Sequence, residues 1–224
     1  MSDTEKIQWF KQQFKTRIKN ILQNTPFSVD MLTAIAMQET GYIWGGLYEI
    51  QPLDEILKVC VGDTLDSPNR SAFPKNKADL LRASRGDEMF AIARDALEHV
   101  ARYNASYRRV ANSSPNKFCH GFGIFQYDLQ FFKTNPDFFL EKRWYDFDEC
   151  LNVFVRDELK EALRRAYGSG KDTLTDREMV YVAIAYNAGS VNVNGSFKQG
   201  HKSEDGRYYG ENIRDYMRLS QEIS

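Results

Sequence analysis

One acid on an apolar helical stripe is the first chemical signal in this chain. In the run MLTAIAMQETG over 31–41, Leu32, Ile35 and Ala36 recur at helical spacing. Glu39 falls on the same face, seven after Leu32 and four after Ile35. An acid so placed points toward a core or a cleft rather than into open water. Burial disfavours a carboxylate and raises its pKa, so Glu39 is expected to hold a proton near neutral pH. A carboxyl group that can donate a proton is what cleavage of a glycosidic bond requires. The structural alternative is a helix-end Glu paired with an Arg.

Two later segments set polar groups beside glycine stops. HGFGIFQYD, from His120 to Asp128, is an apolar turn punctuated by glycine that ends in an amide and a second acid. AIAYNAG, from Ala183 to Gly189, closes a helix with Tyr186 and Asn187 just before its glycine. Together with the Glu39 run, these segments resemble the lysozyme-like superfamily of soluble lytic transglycosylases and goose-type lysozymes. That family's pattern is a catalytic Glu followed by Ser or Thr, then Gly-Leu-Met-Gln, then Ala-Tyr-Asn-Ala-Gly. The middle motif here reads Gly123-Ile124-Phe125-Gln126. The run from Tyr209 to Met217 is similar to the family's closing segment, in which a Glu precedes a Tyr-Val pair on the last helix.

Strand signals are sparse, so a mainly α fold is expected; the resemblance implies one lysozyme-like helical domain over 1–224, and the stretch of about 47–115 that the family pattern does not explain reads as an inserted helical lobe. The resemblance also implies that Glu39 protonates the leaving oxygen of a β-1,4 bond between N-acetylmuramic acid and N-acetylglucosamine in peptidoglycan. Thr40 stands where the family has Ser or Thr, and its hydroxyl either orients the carboxyl or satisfies a helix-end carbonyl. Gln126, Tyr186 and Asn187 would hold sugar hydroxyls and N-acetyl carbonyls without carrying charge. The structural alternative for Tyr186 and Asn187 is a helix end, with Asn187 bonded to backbone. No metal or organic cofactor is implied.

Two reactions share this machinery. In a lytic transglycosylase the muramic acid's own 6-hydroxyl attacks, and no second carboxylate is needed. A hydrolase needs a water, usually activated by a second acid. Asp128 matches the goose-type Asp thought to position that water, and it is equally placed to cap the following helix. The goose-type family has a further Asp upstream of the turn, where this chain has Asn116-Lys117-Phe118. Asp63 or Asp66 would have to stand in. Tyr42, Trp44, Phe122 and Tyr208 are candidates for stacking on sugars.

Composition fits a soluble globular protein, 42% hydrophobic and 27% charged. With 30 basic and 31 acidic residues it gives no support for a nucleic-acid binder or a polybasic membrane anchor. No stretch is long and apolar enough to span a bilayer. Cys60, Cys119 and Cys150 are far apart, which argues against a disulfide framework or a zinc site and for buried thiols. His99, His120 and His201 form no metal-ligand pattern. His99 reads as a surface or packing residue, and His120, beside the glycine turn, as a cleft-lining one. The polar start MSDTEK leads into an amphipathic helix, so no signal peptide is visible. A wall-degrading enzyme made in the cytoplasm would then reach the cell wall or periplasm by another route. Phage lysis and a contact-dependent secretion machine are two such routes, and a domain cut from a longer protein is the other reading.

The elements that must position these residues follow from periodicity. A first helix runs through Ile7, Phe10, Phe14, Ile18 and Ile21 and breaks at Thr25-Pro26. Ser28 caps the Glu39 helix, which Gly41 and Gly45-Gly46 should end. The stretch from about Leu47 to Pro115 is longer than the shared motifs require. It carries a helix from Asp87 with Met89, Ala93, Leu97 and Val100 on one face, and no Gly/Ser- or Pro-rich linker flanks it. Asn135-Pro136 marks a break, and Leu151, Val155, Leu159 and Leu163 mark another helix. Thr175 to Glu178 is a capping box, with Gly189 as the stop of the helix it opens. Ser190 to Tyr208 reads as a loop or short hairpin over the cleft, and a last helix runs from about Gly210 to Gln221. Two rival functions remain: a chitinase or chitosanase on the same scaffold, and a non-catalytic glycan-binding module. Retention of Glu39, Gln126, Tyr186 and Asn187 together argues against the latter.

Overall fold

The structure, a computed structural model, describes residues 2–62 and 70–223. It is mainly helical, at 61% helix and 4% strand. In chain order the helices begin with α1 (Asp3–Ile21), α2 (Val29–Trp44) and α3 (Leu53–Val59), followed by strand β1 (Val61–Gly62). Then come α4 (Lys77–Leu81), α5 (Gly86–Val100), α6 (Ala105–Ser113), β2 (Gly121–Phe122) and β3 (Tyr127–Asp128). A 3-10 helix over Leu129–Lys133 precedes α7 (Pro136–Leu140) and α8 (Phe147–Val153). A π segment, Phe154–Leu159, leads into α9 (Lys160–Tyr167), and α10 (Asp176–Ala188) and α11 (Tyr209–Gln221) complete the chain. Among the described residues no helix is long and apolar enough to cross a membrane.

The chain divides into two compact units. The first comprises Met1–Tyr42 and Leu151–Ser224, and the second is the intervening Ile43–Cys150. The second unit is wider than the lobe of about 47–115 expected from motif spacing. It takes in the glycine turn as well as α3 to α7.

The first unit is built on aliphatic helix faces. Ile7, Phe10, Phe14 and Ile18 of α1 are fully buried, as their spacing predicts, while Leu22 rather than Ile21 closes the buried stripe. Ser28 caps α2, its hydroxyl accepting the Met31 N–H at 3.1 Å. The helix does not stop at Gly41 but continues to Trp44, so Glu39 sits five residues inside its end. Lys11 is buried, and it ties three helices together. Its ammonium donates to Asp30 Oδ1 of α2 at 3.2 Å, to the Ser220 carbonyl of α11 at 2.8 Å, and to the Ile223 carbonyl. A cation at those last carbonyls also meets the negative end of the α11 dipole. The Ser220 hydroxyl donates to the same Asp30 oxygen at 2.6 Å.

The helix expected to carry Leu151 to Leu163 is interrupted by the π segment. The wider turn rotates α9 relative to α8, so Ala162 is buried where Leu163 was expected and Leu163 is half-exposed. The capping box of α10 is present, with Glu178 accepting the Thr175 N–H at 2.8 Å. Gly189 ends the helix at φ 73°.

The second unit packs on aromatic rings. Phe118, Phe122, Phe125, Phe138, Phe139, Trp144 and Phe147 are all at most 1% exposed. Its three two-residue strands form an antiparallel sheet in the order β1-β2-β3. The register pairs Val61 with Phe122 and Phe122 with Tyr127. The α5 face of Met89, Ala93, Leu97 and Val100 is buried as predicted. Cys60, Cys119 and Cys150 are buried thiols, and burial pushes the Cys150 thiol up to about 12.

Candidate active site

In the first unit the apolar residues of α2 set the rotation that brings Glu39 to its place. Leu32, Ile35 and Ala36 are fully buried, and Glu39, on their face, is half-buried. The carboxyl is engaged by a residue far away in sequence. The Tyr209 hydroxyl, on the first residue of α11, donates to Glu39 Oε1 at 2.8 Å. Tyr209 is 2% exposed. Its pKa lies well above the ordinary phenol value, first because of burial, then because of the Glu39 charge and hydrogen bond, with the Glu158 charge adding to them. The phenol therefore stays protonated and acts as a donor throughout the neutral range.

Thr40 is fully buried, and its hydroxyl lies 3.4 Å from the Ala36 carbonyl, a bond back along its own helix. Tyr186, near the end of α10, is half-buried, with its ring edge-to-face on Phe154 at 5.2 Å. Asn187 is exposed, and its Oδ1 accepts the His201 backbone N–H at 2.8 Å. This is bonding to backbone, as the structural alternative has it, but to the loop after α10 and not to the helix itself.

That loop joins the two groups of residues. Gly200 has φ 83°, and a Cβ there would stand 2.8 Å from Tyr209 Cβ and 2.9 Å from Asn187 Oδ1. Only glycine lets the backbone pass between them. The segment from Ser190 to Tyr208 is otherwise a loop, closed by one antiparallel bridge between Lys202 and Tyr208. The first unit thus joins Glu39 to Tyr209 directly and Asn187 to Tyr209 through His201, whose N–H donates to Asn187 and whose carbonyl accepts the Tyr209 N–H at 2.8 Å, with Thr40 and Tyr186 as chain neighbours of Glu39 and Asn187.

Gln126 and Asp128 belong to the second unit and are used by the turn itself. Gln126 adopts φ 57° and its amide donates to the Gly123 carbonyl at 2.9 Å. Its side chain also lies against Gly121, where a Cβ would come within 2.3 Å of Oε1. Asp128 caps the 3-10 helix by accepting the Gln130 N–H at 2.7 Å. Both its oxygens also accept from Arg70 Nη2, at 2.6 and 2.7 Å. This geometry is that of the helix-cap reading. Asp63 and Asp66 lie outside the described residues.

Of the stacking candidates, Trp44 and Phe122 are core residues, Tyr208 is half-buried, and Tyr42 is 52% exposed. His120, expected to line a cleft, is fully buried and stacks on Phe118 at 4.5 Å. His99 is half-buried and hydrogen-bonded to Glu55 at 2.6 Å. Sequence reasoning passed over Tyr209. Tyr209 lay inside the closing segment, but only Tyr208 beside it was singled out. Comparison of the chain with family models, curated proteins and solved structures finds no match.

Proposed function

We propose that this chain cleaves the β-1,4 bond between N-acetylmuramic acid and N-acetylglucosamine in bacterial peptidoglycan, with Glu39 as general acid, on a lysozyme-like helical scaffold carrying an insertion. The observation that carries the reading is the hydrogen bond from the buried Tyr209 hydroxyl to Glu39 Oε1 at 2.8 Å. A donor on Oε1 fixes the plane of the carboxyl that is to pass on its proton. Asn187 and Tyr186 stand at the neighbouring helix end, where amide and phenol groups suit sugar hydroxyls and N-acetyl groups.

In this reading Glu39 passes its proton to the glycosidic oxygen as the bond to the anomeric carbon breaks through an oxocarbenium-like transition state. The 6-hydroxyl of the muramic acid then attacks that carbon and returns its proton to Glu39, leaving a 1,6-anhydro end. The anhydro route is favoured over hydrolysis because Asp128 is already engaged by Arg70 and by the Gln130 N–H. The test is a comparison of isolated peptidoglycan sacculi with chitin oligomers as substrates of the purified chain. Faster cleavage of peptidoglycan is expected, from contacts to its lactyl or peptide groups worth roughly 1–3 kcal/mol each. Equal specificity constants would move the assignment to a chitinase, and no cleavage of either would leave a glycan-binding module.

A further inference from the structure

Away from Glu39, the first unit holds a second hollow, lined by arginines. On α11, Arg214, Met217, Arg218 and Gln221 recur at the spacing of one helix face. On α10, Asp176, Arg177 and Val180 fall within about one turn. The two helices pack together, and with Phe197 of the loop after α10 these side chains line a cavity of about 340 Å³. Its floor is apolar: Val180 and Met217 are buried and Phe197 is half-buried. That size and an apolar lining with a few placed polar groups are those of a small-ligand site.

The cations of the cavity are poorly neutralised. Among the described residues Arg177 makes no ion pair and has only neutral neighbours. Its Nη2 donates to the Tyr181 hydroxyl at 2.8 Å, and its guanidinium stands 5.5 and 5.7 Å from the ring centres of Tyr181 and Phe197. The Tyr181 hydroxyl in turn donates to the Gly195 carbonyl at 2.5 Å. The guanidinium is thus held in place with its charge uncompensated. Arg218 makes no hydrogen bond or ion pair among the described residues. Arg214 is paired with Asp215 at 2.7 Å, but that carboxylate is shared with Arg207. Glu178 of α10 is paired with Lys171 at 2.8 Å. Asp176 is the acid in the lining, and its Oδ2 accepts the Gln221 amide at 2.9 Å. Arg177 and Arg218 are exposed, so a ligand reaches them without movement of the chain.

We propose that this cavity binds a short acidic peptide, with a carboxylate on Arg177 and Arg218 and small apolar side chains on Val180, Met217 and Phe197. Guanidinium groups match a carboxylate through paired N–H donors. Phosphate offers similar oxygens, but the Asp176 charge in the wall penalises a dianion more than a single carboxylate. The apolar floor favours a ligand that carries methyl or methylene groups beside its charge. A solvated basic face would need neither that floor nor a guanidinium held against two rings. Arg177 lies ten residues before Asn187 on α10, about 15 Å along the helix. An extended peptide of about four or five residues spans that distance. The peptide is therefore either free or carried on a glycan strand bound at Glu39. Only the second source rests on the proposed function; the binding itself does not.

The experiment is isothermal titration calorimetry of the full chain with three probes: N-acetyl-Ala-Glu-Ala, the same peptide with both carboxylates amidated, and sodium phosphate. The acidic peptide should bind with a Kd below about 1 mM, and the other two at least about tenfold more weakly. Arg177→Gln and Arg218→Gln should each weaken the acidic peptide about tenfold. Arg218→Gln should leave the melting temperature unchanged, so loss of binding in it is not loss of fold. Asp176→Asn should narrow the gap between peptide and phosphate. No binding of the acidic peptide, equal binding of the amidated one, phosphate binding as tight, or a Kd unchanged by Arg218→Gln would each overturn the proposal. A second arm uses Glu39→Gln, which does not cut on the proposed reading, with glycan fragments that keep or lack their peptides. Tighter binding of the peptide-bearing fragments, lost on adding Arg218→Gln, supports a glycan-linked ligand. Binding of N-acetyl-Ala-Glu-Ala without that preference supports a free peptide. Neither arm reads turnover, so failure of Glu39 as the acid and failure of this site are told apart.

Discussion

The two units use their polar motif residues in opposite ways. In the second, Gln126 bonds to the carbonyl of Gly123 three residues before it, and Asp128 accepts the N–H of Gln130 two residues after it while Arg70, 58 positions away, neutralises its charge. These side chains build the turn they belong to. In the first, Glu39 bonds to Tyr209, 170 positions away, and Asn187 to His201, 14 positions away. Here the side chains link different elements of the unit. Asp128 is tied into its turn and neutralised by a cation, whereas Glu39 is met by a neutral phenol donor, the arrangement that suits the general acid of the proposed reading. On the proposed reading, chemistry belongs to the first unit, and the motif residues of the second build its turn.

Three substitutions would break or sharpen that contrast. The largest effect is expected from Glu39→Gln, which keeps the shape and removes the transferable proton. Cleavage of sacculi, followed by turbidity, should fall on the order of 10²–10⁴-fold with the melting temperature nearly unchanged. Activity within about threefold of wild type would end the assignment. Gly123→Ala should act on stability instead. Gly123 has φ 80°, and a Cβ there would meet Cys150 Sγ at 2.4 Å. Left-handed backbone and overpacking together should cost about 3 kcal/mol in urea unfolding. A cost under about 0.5 kcal/mol would mean that the turn is not the framework described.

The smallest effect is expected from Asp128→Asn. An asparagine still caps the 3-10 helix but loses the ion pair with Arg70, so stability should drop by about 1–2 kcal/mol with turnover within about threefold. A stable variant that has lost turnover would return Asp128 to the chemistry and erase the contrast between the units.

Much of the helical frame was legible because it depends on neighbours in sequence. The buried phase of α1, the Ser28 cap, the α5 face and the Thr175 capping box all follow from periodicity and local hydrogen bonding. What sequence reasoning missed depends on tertiary contact. Glycine at 41 normally weakens a helix, yet α2 runs through it, with Gly41 buried and the helix ending at Trp44. The π segment changes the helical phase between Leu159 and Ala162, and a fixed period cannot register such a change. Trp44 and Phe122 look like sugar platforms by residue type but are core. Of the proposed site, Glu39, Tyr186 and Asn187 are named by sequence motif. Tyr209 enters only when the start of α11 is brought to Glu39 of α2, and no local pattern marks it.

The central claim is that Glu39 in the first unit cuts a muramic acid glycosidic bond. Mass spectrometry of the muropeptides released from purified sacculi tests it most directly, with wild type and Glu39→Gln side by side. The wild type should release soluble fragments whose muramic acid ends are lighter by one water than the hydrolysis products, and the variant should release none. Reducing-end fragments would contradict the anhydro route. Equal release by both proteins, or no release by either, would contradict the claim itself.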